Sequence, residues 1–185
     1  MPINELTREN HALVNRIKTH IEETNIDTSQ TIQTFGVWDT GAQCSVMRQD
    51  LVDQLGLVPR GFKNIKGVTG EQRRNTYLAN VTLNNKEITL DMEITGVDAF
   101  SDDTDEGVLI GMDIISQGDF CITNFQRNTV MTFRKPSQGV VDYCKENDLI
   151  NKYAKIHLAR IKHGNKLCPC GSKKLYENCH GKIYE

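Results

Sequence analysis

Two groups of residues have types and spacing that could do chemistry. The first is Asp39, in the run Val37-Trp38-Asp39-Thr40-Gly41-Ala42, and the chain holds this Asp-Thr-Gly only once. A carboxylate fixed at a strand end can move protons as a general acid or base. Gly41 permits a tight turn there that a side chain would obstruct. On its own, such a tripeptide marks a turn as readily as a reactive site. The second group is Cys168, Cys170, Cys179 and His180, spaced Cys-x-Cys-x8-Cys-His. These are four ligands of the kinds that suit tetrahedral Zn²⁺. Gly171 leaves a backbone N–H free to approach a thiolate, and residues 171–178 are enough chain to return to the metal. So small a unit cannot build its own core, so metal binding would drive its folding. The competing reading is a disulfide or free thiols, which the absence of a secretory pattern disfavours.

Elements must hold these groups in place. Thr31–Trp38 is β-rich and runs straight into Asp39. Leu13, Val14, Ile17 and Ile21 before it fit a helix as well as a strand, and the β-rich neighbour decides for a strand. The polar 24–29 stretch reads as a turn. Arg48–Leu55 reads as a short helix ended by Gly56. Strands are expected at 62–68, 74–83 and 87–95, with Gly67-Val68-Thr69-Gly70 as one hairpin tip and Asn84-Asn85 as another. Five acids in 98–106 read as an exposed, solvated loop whose spacing lacks a calcium-loop pattern. Val108-Leu109-Ile110 is a short buried strand, and 119–125 with 129–134 form a hairpin. Pro136, Ser137 and Gly139 then mark a linker, and Leu149, Ile150, Tyr153, Ile156, His157 and Ile161 recur at helical spacing.

Composition bounds the rest. The 185 residues are 38% hydrophobic and 25% charged, a globular balance with room for one domain and a small module. No apolar run approaches the roughly 20 residues of a membrane helix. Residues 1–6 lack a basic, then apolar, leader, so the expected compartment is the cytoplasm. Residues 145–185 carry nine Lys/Arg against four acids, while the remainder carries 13 bases and 20 acids. A basic tail on an acidic body points to two units with different partners, although a solvated Lys-rich helix face would look the same. Cys44, Cys121 and Cys144 are scattered and read as small, partly buried thiols.

Three elements together resemble the retroviral-type aspartic proteases, the retropepsins. They are Phe35 to Met47 around Asp39-Thr40-Gly41-Ala42, the Gly67–Gly70 tip where a flap would fall, and Val108-Leu109-Ile110-Gly111-Met112-Asp113-Ile114-Ile115. The resemblance covers roughly 11–135 and keeps the expected order. It implies a mainly β fold: a single-lobe, closed β-barrel domain with short helices over 1–136. A helical connector over 137–164 and a zinc-binding module over 165–185 would follow. It implies an aspartic endopeptidase with one catalytic Asp per chain, so that two Asp39 side chains must meet across the two-fold axis of a homodimer. Carboxylates that close share one proton. The ionised one takes a proton from water and the protonated one hydrogen-bonds the scissile carbonyl, with no cofactor. Thr40 would join the loops across the axis. Gly41 and Ala42 would line the approach of a peptide or protein substrate, covered by Gly67, Val68, Thr69 and Gly70. Ala42 offers no hydroxyl to the carboxylates, which implies a working range less acidic than that of two-lobed, pepsin-like enzymes. Ser45 is a candidate support for the Asp loop, and Asp113 a candidate cap for a short helix.

Residues 167–182 closely resemble the SEC-C motif found at the C-terminus of the protein-translocation ATPase. That resemblance implies a structural zinc held by Cys168, Cys170, Cys179 and His180, and docking to a protein or ribosomal surface. The spacing differs from the viral nucleocapsid knuckle, and aromatic and Arg residues are not interleaved near the cluster, which disfavours nucleic acid. The leading reading is thus a cytoplasmic, homodimeric endopeptidase with a docking module. The alternative is a retropepsin-fold dimeric adaptor without turnover.

Overall fold

A computed structural model describes residues 3–67, 70–83, 86–162, 167, 168, 170–175 and 179. The chain divides into two compact units, Met1–Gly139 and Val140–Glu185.

The first unit is built of strands, some alternating between core and surface and others buried over consecutive residues. Strand β2 (Ile17–Asn25) sends Ile17, Thr19, Ile21, Glu23 and Asn25 inward, and β3 (Thr31–Trp38) buries its last three residues. The two pair antiparallel, with Ile17 opposite Trp38. After Asp39 come the short β4 (Val46–Arg48) and α1 (Gln49–Gln54). Helix α1 stops where Gly56 takes φ +61, a conformation natural to glycine. The amide of Asn25 donates to the Leu55 and Gly56 carbonyls, satisfying the helix end. Strands β5 (Gly61–Gly67), β6 (Gly70–Leu83), β7 (Thr89–Val97) and β8 (Glu106–Ile110) follow, then α2 (Met112–Ile115), β9 (Asp119–Thr123) and β10 (Val130–Lys135).

Strand order in the larger sheet is β2-β3-β8-β4-β7-β6-β5, and β2 also pairs with β6. That extra pairing closes the first six into a barrel, which removes their sheet edges, and leaves β5 outside as one arm of a hairpin. Leu83, Ile88, Ile94, Ile110, Ile114 and Met47 are among the fully buried side chains of the core. The mainly β, closed-barrel architecture that the resemblance implies is the one found.

A second sheet, β1-β10-β9, begins with β1 (Asn4–Glu9), which pairs antiparallel with β10. Its buried Leu6, Met131 and Phe133 join the core. Three local expectations differ from what is found. Strand β2 starts at Ile17, not near Leu13, because the backbone N–H of Val14 is drawn to the Thr129 hydroxyl. Strands β1 and β4 have no counterpart in the sequence reading. Glu106, placed there at the end of an exposed loop, opens β8 and is 1% exposed, paired with Arg16 at 2.7 Å and Lys18 at 3.1 Å.

The second unit contains α3 (Tyr143–Lys162), near the expected helical connector, and an isolated bridge between Leu167 and Leu175. No helix among the described residues is long and apolar enough to cross a membrane.

Candidate active site

Topology builds the Asp39 loop. Strands β3 and β8 run parallel with Trp38 opposite Ile110, so the loops that follow them emerge side by side. Strand β4, which follows the Asp39 loop, returns antiparallel along β8, with Val46 opposite Leu109. The end of β8 is therefore clasped between the chain entering the loop and the chain leaving it.

Hydrogen bonds fasten the two loops. Asp39 N–H donates to the Ile110 carbonyl at 2.9 Å, and Met112 N–H donates to the Ala42 carbonyl at 2.8 Å. The fully buried Ser45 hydroxyl accepts from Gly111 N–H at 2.9 Å and donates to Asp113 at 2.7 Å. Asp113 also accepts from the backbone N–H groups of Ser45 and Ile114. Gly111 tolerates no side chain: a Cβ would lie 2.7 Å from the Cys44 carbonyl carbon and 2.8 Å from its oxygen. Burial pushes the Cys44 thiol pKa up, and the charge of Asp113 adds to it.

Trp38 ends the buried part of β3, and Asp39 begins the loop. Trp38 is buried, stacks on Phe120 with ring centroids 5.3 Å apart, and donates its indole N–H to Thr19 at 2.9 Å. Asp39 is half-buried at the loop, with Thr40 and Gly41 exposed and Ala42 half-buried. One Asp39 oxygen accepts from Gly41 N–H at 2.8 Å. Among the described residues, no lysine or arginine pairs with Asp39 and its other oxygen receives no hydrogen bond. Asp113, three of whose hydrogen bonds are spoken for within the loop pair, is the opposite case: a carboxylate used as a brace.

Gly67 and Gly70 face each other at the end of the β5–β6 hairpin, and Gly70 takes φ +113. Val68 and Thr69 lie outside the described residues. At the hairpin's base, Lys63 pairs with Glu93 at 2.6 Å, and both charges reach the Cys44 thiol. Arg73 stacks over the Phe62 ring at 3.4 Å, and Arg74 pairs with Asp98. Arg73 is thus held by the other arm of the hairpin, and Arg74 by Asp98 after β7.

In the second unit, the sulfurs of Cys168, Cys170 and Cys179 lie within 4.8 Å of one another, and those of Cys170 and Cys179 are 3.6 Å apart. Ligands bound tetrahedrally at about 2.3 Å from zinc would have sulfurs about 3.8 Å apart, so the donor set fits. The Leu167–Leu175 bridge and a bond from Cys168 N–H to the Lys174 carbonyl fold the loop back, and Gly171 takes φ +81. The Ser172 hydroxyl and N–H, then Cys168, draw the Cys170 pKa down to about 6, which favours the thiolate a metal requires. None of the three is in a disulfide. His180 lies outside the described residues.

The sequence reading brought Asp39 to Ala42, Ser45 and Asp113 into view. It missed that Ser45, Asp113 and Gly111 form one tie between two loops, and that Thr19 holds Trp38. Those partnerships span 19 to 68 residues and leave no local signal.

Comparison with known proteins adds the following. Residues 165–182 match the SEC-C motif. Among solved structures, the chain is similar to a retropepsin-like aspartic protease from Rickettsia conorii, at 12% identity and a TM-score of 0.47, covering 72% of this chain and 94% of that one. It is similar to the simian foamy virus protease, at 13% identity and a TM-score of 0.38, covering 54% and 92%. It is also similar to the retroviral protease-like domain of Ddi1 from Leishmania major, at 17% identity and a TM-score of 0.35, covering 60% and 90%. A search of curated proteins finds no match. The chain thus combines a six-stranded barrel and paired loops with a match to the SEC-C motif at residues 165–182, and it is similar to the retropepsin-like structures named above.

Proposed function

We propose that the chain is one half of an aspartic endopeptidase and acts as a homodimer. The observation that carries this reading is the contrast between Asp39 and Asp113. Asp113 spends its oxygens bracing the loops, whereas Asp39 keeps one oxygen without a hydrogen bond among the described residues, on a loop fixed from both sides. Held on that loop and only half-buried, the Asp39 carboxylate is available to a water molecule or a substrate carbonyl.

In the dimer, the two Asp39 carboxylates hold one proton between them, and the apparent pKa values belong to the pair. The ionised member takes a proton from a water molecule, which attacks the peptide carbonyl. The protonated member hydrogen-bonds the carbonyl oxygen as its charge develops. Thr40 links the two loops across the axis. Gly41 and Ala42 leave room for an extended peptide, and the Gly67–Gly70 tip closes over it. Ala42 brings no hydroxyl to the dyad, so activity centres at a less acidic pH than in enzymes with Ser or Thr there.

The second unit would hold Zn²⁺ through Cys168, Cys170, Cys179 and His180. The ion's contribution is structural: a closed ligand set orders a segment too small for a core. The module then docks substrate or a partner protein, such as a ribosomal surface, and the enzyme works in the cytoplasm.

The test is a diverse peptide library offered across pH to the purified chain and to Asp39→Asn, with sedimentation equilibrium on both. Cleavage by the wild type alone, from a dimer, supports the reading. Equal background cleavage by both leaves a retropepsin-fold dimeric adaptor, and a monomer at high concentration removes the mechanism.

A further inference from the structure

Glu23 has no place in the chemistry above, and its position is unusual. It lies in the middle of β2, with its side chain directed into the barrel and fully buried. Neither carboxyl oxygen has a hydrogen-bond partner among the described residues. β2 is the strand that closes the barrel, through the pairs Ile21–Leu83 to Asn25–Ala79 with β6, and Glu23 sits at the centre of that seam opposite Val81.

Its surroundings offer no counter-charge. On its own strand, the inward neighbours are Ile21 and Asn25, and Asn25 spends its amide on Leu55, Gly56, Asp27 and Thr28. β3 places Ile32 opposite it, and β6 places Val81 between Ala79 and Leu83. Among the described residues of this unit, the other buried ionisable side chains are Tyr77, whose hydroxyl receives a hydrogen bond from Gln49, and Glu106, which Arg16 and Lys18 neutralise. An ionised carboxylate in such a place costs far more than a neutral one.

We infer that Glu23 is a protonated latch: as a neutral acid it lets β2 pair with β6, and losing its proton opens that seam. Burial alone raises its pKa well above the model-compound value of 4.5. The sign follows. The unfolded or opened chain releases the proton above about pH 4.5, while the closed barrel keeps it. Closure therefore takes up one proton, and its favourable contribution declines as pH rises from there to the folded pKa. The contribution of Glu23 to closure is therefore greatest in acid and falls toward alkaline conditions. This inference does not depend on catalysis at Asp39.

Two measurements on the full chain test it. The first is hydrogen exchange of the seam amides, at Glu22 to Asn25 and Val81 to Leu83, across pH. With the intrinsic base-catalysed rate divided out, the wild-type opening constant should rise by up to about tenfold per pH unit within the window. Glu23→Gln and Glu23→Leu, neutral at every pH, should show no such rise. The second is the ¹³C shift of the Glu23 carboxyl in the folded wild type, which should report a protonated acid at pH 6. Parallel profiles in wild type and variants, or an ionised Glu23 at pH 6, would overturn the inference. If neither variant folds, the carboxyl shift decides.

Discussion

Replacing Ser45 with alanine deletes the one hydroxyl that ties the Asp39 loop to the end of β8. It removes the 2.7 Å bond to the Asp113 carboxylate, and a hydrogen bond to a charged group contributes about 1.5–3 kcal/mol. It also strands the Gly111 N–H, which the hydroxyl accepts at 2.9 Å inside the protein, and a buried unsatisfied donor costs about 1–3 kcal/mol. The effects overlap, because Asp113 retains the N–H groups of Ser45 and Ile114. A net loss of about 2–4 kcal/mol is expected, which for a chain of this size lowers Tm by about 5–15 °C. Chemical denaturation of Ser45→Ala, Asp113→Ala and the double variant measures it, and a coupling of about 1–3 kcal/mol should appear between the two positions. Additive losses, or a Ser45→Ala protein within about 0.5 kcal/mol of wild type, would mean that the tie does not support the loop.

Gly111→Ala would drive a methyl to 2.7 Å from the Cys44 carbonyl carbon; a destabilisation of about 3 kcal/mol is expected by denaturant titration, since backbone cannot yield as a side chain does. Trp38→Phe forfeits the bond to the buried Thr19 hydroxyl and should cost about 2 kcal/mol on the same assay. Burial works to raise the Glu106 pKa, but Ser101, Lys18 and Arg16 together bring it below the ordinary value; its stabilisation is present above about pH 4.5 and is lost as pH falls through the folded pKa. Glu106→Gln should therefore be less stable than wild type at pH 7 and converge with it in acid, read by Tm against pH. Chelation should strip about one zinc per chain and unfold the C-terminal module, and Cys170→Ser should bind less than about 0.5 zinc per chain by atomic emission.

How much could be read from the residues depended on how local each feature is. Strand β3 and its Asp-Thr-Gly loop are contiguous, and so was the α1 stop at Gly56. The cysteine spacing was likewise a local fact. Strand β1 escaped notice because Asn4–Glu9 is mostly polar, buries only Leu6, and exists through pairing with β10, 121 to 131 residues away. Strand β4 is three residues long and takes its identity from β7 and β8. The start of β8 was hidden because Glu106 carries a charge that Arg16 and Lys18 neutralise from far upstream. The pairing of Ser45 with Asp113 spans 68 residues, and nothing in either neighbourhood announces it. The candidate loop was legible as a motif, while its bracing was visible only in three dimensions.

Whether Asp39 works as a pair across two chains is tested most directly by mixing. Wild type and Asp39→Asn are combined at equal amounts and fixed total concentration, allowed to exchange, and assayed on a peptide that the wild type cleaves. If both carboxylates of a dimer are needed, mixed dimers are inactive and random pairing leaves about a quarter of the wild-type rate. A rate of about one half would mean that each chain acts alone, and it would contradict the shared dyad.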